Sequence, residues 1–270
     1  MFLAAAVQMN ATADPEANEA QVVPLIERAA GYGARFVATP EHTRMLATMP
    51  EMVRAAEPLD GPTCQRFGAL ARRLGIVLLI GSINEQGSDP DRCSNTSVLF
   101  GPEGTILAVY RKIHLFDVDL SESVRSRESD HVMPGSVPVV ARTPLARVGL
   151  SICYDLRFGN LYRRLVGEGA EVLCVPSAFT LTTGRAHWEV LIRARAIECQ
   201  SFVIAPAQWG RHEDDSLRET FGHAMIVNPW GQVIATAADG PGLAIAEIDL
   251  DRVSQIRRAV PVANHFRPNL

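Results

Sequence analysis

Residues 2–39 read FLAAAVQMNATADPEANEAQVVPLIERAAGYGARFVAT. Phe2–Gln8 is an apolar run of strand length. Pro15–Ala30 carries apolar residues at helical spacing and is closed by Gly31 and Gly33. Arg35–Thr39 is a second short strand, ending at Pro40. A strand, a helix and a strand in this order argue for an α/β layered fold.

The alternation continues outward from this unit. Pro62–Leu74 reads as a helix stopped by Gly75, and Ile76–Asn84 as an apolar strand. Arg147–Ile152 is a strand followed by a helix over Phe158–Glu168, and Glu171–Val175 is a further strand. His187–Cys199 reads as a helix with Trp188, Leu191 and Ile192 on one side and Glu189–Arg193 as an i,i+4 pair on the other. Phe202–Pro206, His223–Asn228, Gln232–Ala238 and Leu243–Asp249 complete the strands, and Asp251–Arg258 the helices. The polar tail 261–270 belongs on the surface. Phe100–Ala108 and Val227–Ala235 are similar hairpins, each punctuated by Pro and Gly, so each half of the chain is expected to supply one sheet. Ile113–Thr143 has no regular signal and is charged and Ser-rich from Asp117 to Asp130. A stretch this long reads as an active-site loop. Nothing resembling a linker divides the chain, and residues 1–270 read as one domain.

Composition narrows the classes. The 270 residues are 47% hydrophobic and 21% charged, which excludes a disordered or fibrous chain. A net charge of −4 gives no reason to expect nucleic acid as a partner. No apolar run reaches the roughly 18 residues of a membrane helix. The segment MFLAAAVQMN has no cationic n-region, so a cytoplasmic protein is expected. The five cysteines contain no CxxC pair. Neither a disulfide framework nor a metal site is expected, and a small buried hydrophobe is the plain reading of each.

Three residues have a joint chemical logic. Cys153 stands where the strand RVGLSI meets a turn and then a helix, an elbow that projects a side chain towards free amides. Glu41 follows Pro40 at a strand end, where α/β sheets place site residues. Lys112 closes the strand before IHLFD and, taken alone, reads as a surface lysine paired to Asp117 or to nothing. Together they supply a nucleophile, a base and an oxyanion partner. A nearby ammonium also lowers a thiol pKa, and a carboxylate keeps that ammonium charged. Cys174, Cys199 and Cys64 read as packing.

The segments GLSICYDLRF, YRKIHLFD and TPEH, in this order along the chain, resemble the three catalytic segments of the nitrilase superfamily of carbon–nitrogen hydrolases. The resemblance runs from AAAVQMN to PVANHFRPNL. It implies a four-layer α-β-β-α sandwich, assembly into homodimers or larger homo-oligomers across the helical faces, and neither metal nor organic cofactor. It implies that Glu41 is the general base, Lys112 the oxyanion stabiliser and Cys153 the nucleophile. Tyr154 N–H is then the second oxyanion donor, and Glu128 a loop glutamate that orients substrate or water. Cys153-Tyr154-Asp155-Leu156-Arg157-Phe158 looks like the Nit branch of amidases rather than the nitrilases proper. Further segments at 186–200, 207–212, 221–231 and 240–250 resemble amidases acting on deaminated glutathione, with ω-amidases next. The chain departs from both at Arg185, and from the first at Trp209.

The implied activity is hydrolysis of the terminal amide of a small acidic α-keto amide through a Cys thioester, releasing ammonia. The alternatives are an ω-amidase acting on α-ketoglutaramate or succinamate, or another family activity such as a carbamoylase. Acidic substrates need cationic or N–H recognition. Arg211, His212, Arg185, His187, Trp188 and Phe179 are the candidates, and Arg157 reads as a structural partner of Asp155. Two rivals stand beside this. One is a Cys–His hydrolase using His114 or His187. The other is a non-catalytic binding protein on the same fold.

Overall fold

The computed structural model describes residues 1–121, 124–212, 219–265 and 267. The chain begins with β1 (Phe2–Met9), α1 (Pro15–Gly31), β2 (Ala34–Ala38), α2 (Met49–Arg54), α3 (Pro62–Leu74), β3 (Val77–Gln86), β4 (Cys93–Phe100) and β5 (Ile106–Arg111). A small hairpin follows, β6 (Asp117–Ser121) and β7 (Val124–Arg127). Then come β8 (Val139–Arg142), β9 (Arg147–Leu150), α4 (Gly159–Gly167), β10 (Val172–Cys174), α5 (Leu181–Cys199), β11 (Phe202–Ala205) and β12 (Ala207–Arg211). The described chain closes with β13 (Glu219–Phe221), β14 (Met225–Val227), β15 (Val233–Thr236), β16 (Gly242–Ile248), α6 (Leu250–Ala259) and α7 (Val262–His265).

Two sheets form. The first runs β13-β12-β1-β2-β3-β4-β5, with β16 antiparallel to β1. The second runs β15-β14-β11-β10-β9-β8. Alternation along the strands sorts the layers. Ala4, Ala6, Phe36, Ala38, Val77 and Leu79 share one face of the first sheet and pack into one core with Val148, Leu150, Val172, Cys174, Phe202 and Ile204 of the second. Ala5, Val7, Val37, Leu78 and Ile80 point the other way, under Val22, Leu25 and Ile26 of α1 and Phe67 and Leu70 of α3. On the second sheet, Gly149 and Leu173 meet Leu165 of α4, and α5 adds Trp188, Ile192 and Ala196 to that core. The order is α-β-β-α, as the resemblance implies. Each large apolar side chain buried this way contributes about 1.5–3 kcal/mol.

Helix ends follow local chemistry. The Asp14 side chain accepts from Glu16 and Ala17 N–H, and Pro15 sits at the start of α1. α5 begins at Leu181 rather than His187, because the Thr180 side chain caps it by accepting from Thr183 N–H. Between β9 and α4 the chain makes a 3-10 turn, Cys153–Arg157.

Two expectations change. Ile113–Thr143 contains β6, β7, a 3-10 turn at Glu128–Asp130 and β8; the alternation in DVDLS spans only five residues and VRSR carries a single apolar one, too short a signal to mark a hairpin. Residues 122–123 of that stretch, and 266 and 268–270 of the tail, lie outside the described residues. The halves do not map one to one onto sheets, since β12, β13 and β16 complete the first. The two similar hairpins are real, β4–β5 and β14–β15, one in each sheet.

Candidate active site

Strand ends deliver the site. Glu41 follows β2, Lys112 follows β5, Cys153 follows β9, and Glu128 opens the 3-10 turn after β7. The Glu41 segment is tied down from several sides. Thr43 Oγ1 donates to Pro40 O (2.6 Å), His42 N–H to Ser82 Oγ (2.8 Å) and Gln208 Nε2 to Glu41 O (2.9 Å). Residue 81 must be glycine for this approach, since a Cβ there would lie 2.1 Å from Thr39 O. Lys112 is held through its backbone, its N–H donating to Asn95 O (2.9 Å) and its O accepting from Gly135 N–H (2.8 Å).

The side chains converge. Lys112 Nζ donates to Glu41 Oε1 (2.9 Å) and to Glu128 Oε2 (2.9 Å) and Oε1 (3.1 Å). Glu41 Oε2 accepts from Ala178 N–H (2.9 Å), and Glu128 Oε2 from Phe116 N–H (2.6 Å). Asn95 Nδ2 reaches both carboxylates, at 3.0 Å and 3.3 Å. Glu41, Lys112 and Glu128 are each 2% exposed. At that depth an unpaired charge is too costly to persist, and Lys112 is the cation that compensates the buried carboxylates.

The electrostatics follow from this packing. Burial pushes Glu41 up, but Lys112 and His42 outweigh it and hold the carboxyl at about 2. Burial pushes Lys112 down, but Glu128 and Glu41 outweigh it and keep the ammonium well above its ordinary range. Burial first, then the Glu41 charge, push the Cys153 thiol well above 9, with Lys112 opposing. Lys112 lowers the thiol as expected, but burial and the Glu41 charge outweigh it. Lys112 is also no surface partner of Asp117, whose carboxylate accepts from Ser129 N–H (3.0 Å).

Cys153 sits in the left-handed region, φ 48°, a conformation costing about 1–3 kcal/mol for a non-glycine residue. Its N–H donates to Pro176 O (2.9 Å), and Asp155 N–H donates to Ile152 O (3.0 Å). The Tyr154 N–H lies between these two engaged amides. Asp155 does not pair with Arg157, a second correction. It accepts from Tyr110 OH (2.7 Å), Ile152 N–H (2.9 Å), His114 N–H (3.0 Å) and His114 Nδ1 (2.7 Å). The Arg157 guanidinium instead lies over the rings of Tyr154 (5.8 Å) and Phe179 (5.4 Å), with His187 Nδ1 3.4 Å from both terminal nitrogens. Among the described residues no carboxylate pairs with Arg157.

The remaining candidates scatter. His212 is 2% exposed; its ring reaches Ala11 O (2.7 Å) and Thr220 Oγ1 (2.8 Å), which makes it a tie between the β1 end and β13 rather than a substrate contact. Trp188 is buried with Nε1 donating to His223 O (2.9 Å) and packs on Phe179 at 5.0 Å. Arg185 and Arg211 are exposed. Trp209 fits because residue 222 is glycine, where a Cβ would lie 2.4 Å from its Cδ1. The Cys–His alternative finds no support: His114 is held by Asp155 and stacked on Phe158 at 3.7 Å, and His187 faces Arg157. Asn95 went unnoticed in the sequence. Its signal is CSNTSVLF, a β4 strand rich in small polar residues yet buried throughout. Among the described residues no cluster of three or more His, Cys, Asp or Glu could hold a metal ion.

Comparison with known proteins agrees with this geometry. The carbon-nitrogen hydrolase family model matches residues 3–258. Deaminated glutathione amidase of Rattus norvegicus is 43% identical, over 99% of this chain and 83% of that protein. The omega-amidase of Homo sapiens is 38% identical, over 100% and 96%. Among solved structures, the C. elegans NitFhit protein superimposes with a TM-score of 0.92 at 38% identity, over 99% of this chain; the chain spans 65% of that longer one. By its matching model, its identities and its four-layer fold, the chain belongs to the carbon–nitrogen hydrolase family.

Proposed function

We propose that the chain hydrolyses the terminal amide of a small acidic α-keto amide of the deaminated glutathione type. The buried Glu41–Lys112–Glu128 cluster beside Cys153 carries the reading, and the 43% identity to a deaminated glutathione amidase, against 38% to an omega-amidase, orders the substrates.

Because Cys153 holds its proton tightly and Glu41 is a weak base at rest, proton transfer is coupled to attack. Cys153 Sγ bonds to the amide carbon as its proton passes to Glu41. Lys112 and the Tyr154 N–H hold the oxyanion. The C–N bond breaks, the Glu41 proton moves to nitrogen, and ammonia leaves a thioester. Water then gives a proton to Glu41, its oxygen attacks the thioester carbon, and the C–S bond breaks. Cys153 recovers its proton and the carboxylic acid departs. Glu128 keeps Lys112 aimed. Arg157, half-buried and without an acidic partner among the described residues, is the cation that receives the substrate carboxylate.

The proposal includes a homodimer or larger assembly across the helical faces, supported by Val190 and Ile197 of α5, exposed at 66% and 51%. It also includes a cytoplasmic location, supported by five free cysteines. No helix among the described residues is long and apolar enough to cross a membrane. The test is ammonia release from deaminated glutathione and α-ketoglutaramate side by side, with Cys153→Ala as blank. Preference for the peptide-like amide is expected. Preference for the short keto-amide makes the chain an ω-amidase, and release from neither overturns the reading.

A further inference from the structure

We propose that Asp155 is a positioning residue that sets the approach of Cys153 to Lys112. The nucleophile and the lysine arrive from different sheets, at the ends of β9 and β5. Something other than a strand ladder must fix their separation. Asp155 stands two residues after Cys153, and Tyr110 and His114 flank Lys112 at two residues on either side. Oδ2 of Asp155 accepts from Ile152 N–H, just before the nucleophile, and from Tyr110 OH; Oδ1 accepts twice from His114. One carboxylate therefore joins the elbow on the second sheet to both sides of the lysine on the first.

Asp155 has the means to do this rigidly. It is 0% exposed, and each of its oxygens accepts two bonds, which fills a carboxylate's usual acceptor positions. Burial first, and then the Asp155 charge, push the Tyr110 hydroxyl well above 10, so it stays a donor. The bond to Ile152 N–H also closes the turn that holds Cys153 at φ 48°. Nothing places Asp155 in contact with a substrate, so its effect passes through Cys153 and Lys112.

The experiment compares Asp155→Asn and Tyr110→Phe with the unaltered protein in kcat, KM and the rate at which iodoacetamide alkylates Cys153, with Cys153→Ala as labelling blank. Asparagine cannot accept all four bonds, and its NH2 faces donors. A misplacement on the order of 1 Å should lower kcat about 10²-fold, with KM changed less than about threefold. Alkylation should slow at least about tenfold. Tyr110→Phe removes one bond of the four and should lower both rates roughly 3- to 10-fold. A purely structural role would shift the urea midpoint and leave both rates of the folded protein unchanged. Unaltered rates in folded Asp155→Asn overturn the proposal; should that variant not fold, unaltered rates in Tyr110→Phe overturn it equally. The turnover arm rests on the amidase reading, whereas alkylation does not. A protein inactive on deaminated glutathione would sink that reading and leave this one to be decided by labelling.

Discussion

Two buried acidic clusters stand on either side of the same nucleophile, and they are built on opposite plans. Glu41 and Glu128 share a cation, Lys112. Asp155 is surrounded by a hydroxyl, a backbone amide and both donors of His114. Glu41, Glu128 and Asp155 are all buried. The first keeps a mobile proton's destinations close together, since Glu41 and Cys153 differ in affinity and sit side by side. The second saturates its carboxylate with fixed donors and leaves it no chemistry. What a buried acid does depends on whether it shares one ammonium with a second acid or is closed in by a full set of fixed donors.

The largest test of this contrast is Glu41→Gln. The amide keeps the shape and removes the base, so ammonia release should fall by at least about 10³-fold in a steady-state assay. Only a small loss would mean the first cluster is as structural as the second.

Lys112→Met asks whether the shared cation holds the cluster together. It leaves two carboxylates buried without compensation, and urea denaturation should read a loss of about 3–5 kcal/mol alongside lost turnover. A variant as stable as the parent would show the two clusters to be alike in needing no cation.

Acid separates the clusters further. Glu41 is held at about 2, below its ordinary 4.5, so its ionised form stabilises the fold fully above 4.5 and that contribution is lost as pH falls towards 2. Urea midpoints measured between those values should fall less steeply in Glu41→Gln than in the parent. Parallel curves would remove Glu41 from the acid response.

Arg157→Ala probes the edge of the site. KM for an acidic amide should rise about 10- to 100-fold with kcat changed little, and a neutral amide should be unaffected. The smallest effect is expected at Glu189→Ala, which removes an exposed i,i+4 pair with Arg193 (3.3 Å) and should cost under about 0.5 kcal/mol. A larger cost there would blur the distinction between buried and exposed charge on which the comparison depends.

Much of this was legible from local pattern. Phe2–Gln8, Pro15–Ala30 and Arg35–Thr39 announce β1, α1 and β2 to within one or two residues, because apolar spacing and the Gly31 stop are local properties. The β6–β7 hairpin and the polar β4 were not legible, since the alternation in DVDLS lasts only five residues and CSNTSVLF has none. Within the site, Glu41, Lys112, Glu128 and Cys153 were named from the sequence and the structure brings them together. The contacts of Asn95 with Glu41, and of His212 with Ala11 O and Thr220 Oγ1, have no signal in the sequence, because a side chain's partners come from other segments.

The sequence by itself determined the alternation of strands and helices, the elbow at Cys153 and the residue types that amide hydrolysis requires. Only the tertiary structure decided that Lys112 is buried between two glutamates, that the thiol is pushed up rather than down, and that Asp155 binds Tyr110 and His114 instead of Arg157. The physical reason is range. Helix and strand formation follow from neighbours a few positions apart. Charge states depend on burial and on contacts such as the one between residues 41 and 112, which only the packing of two sheets creates.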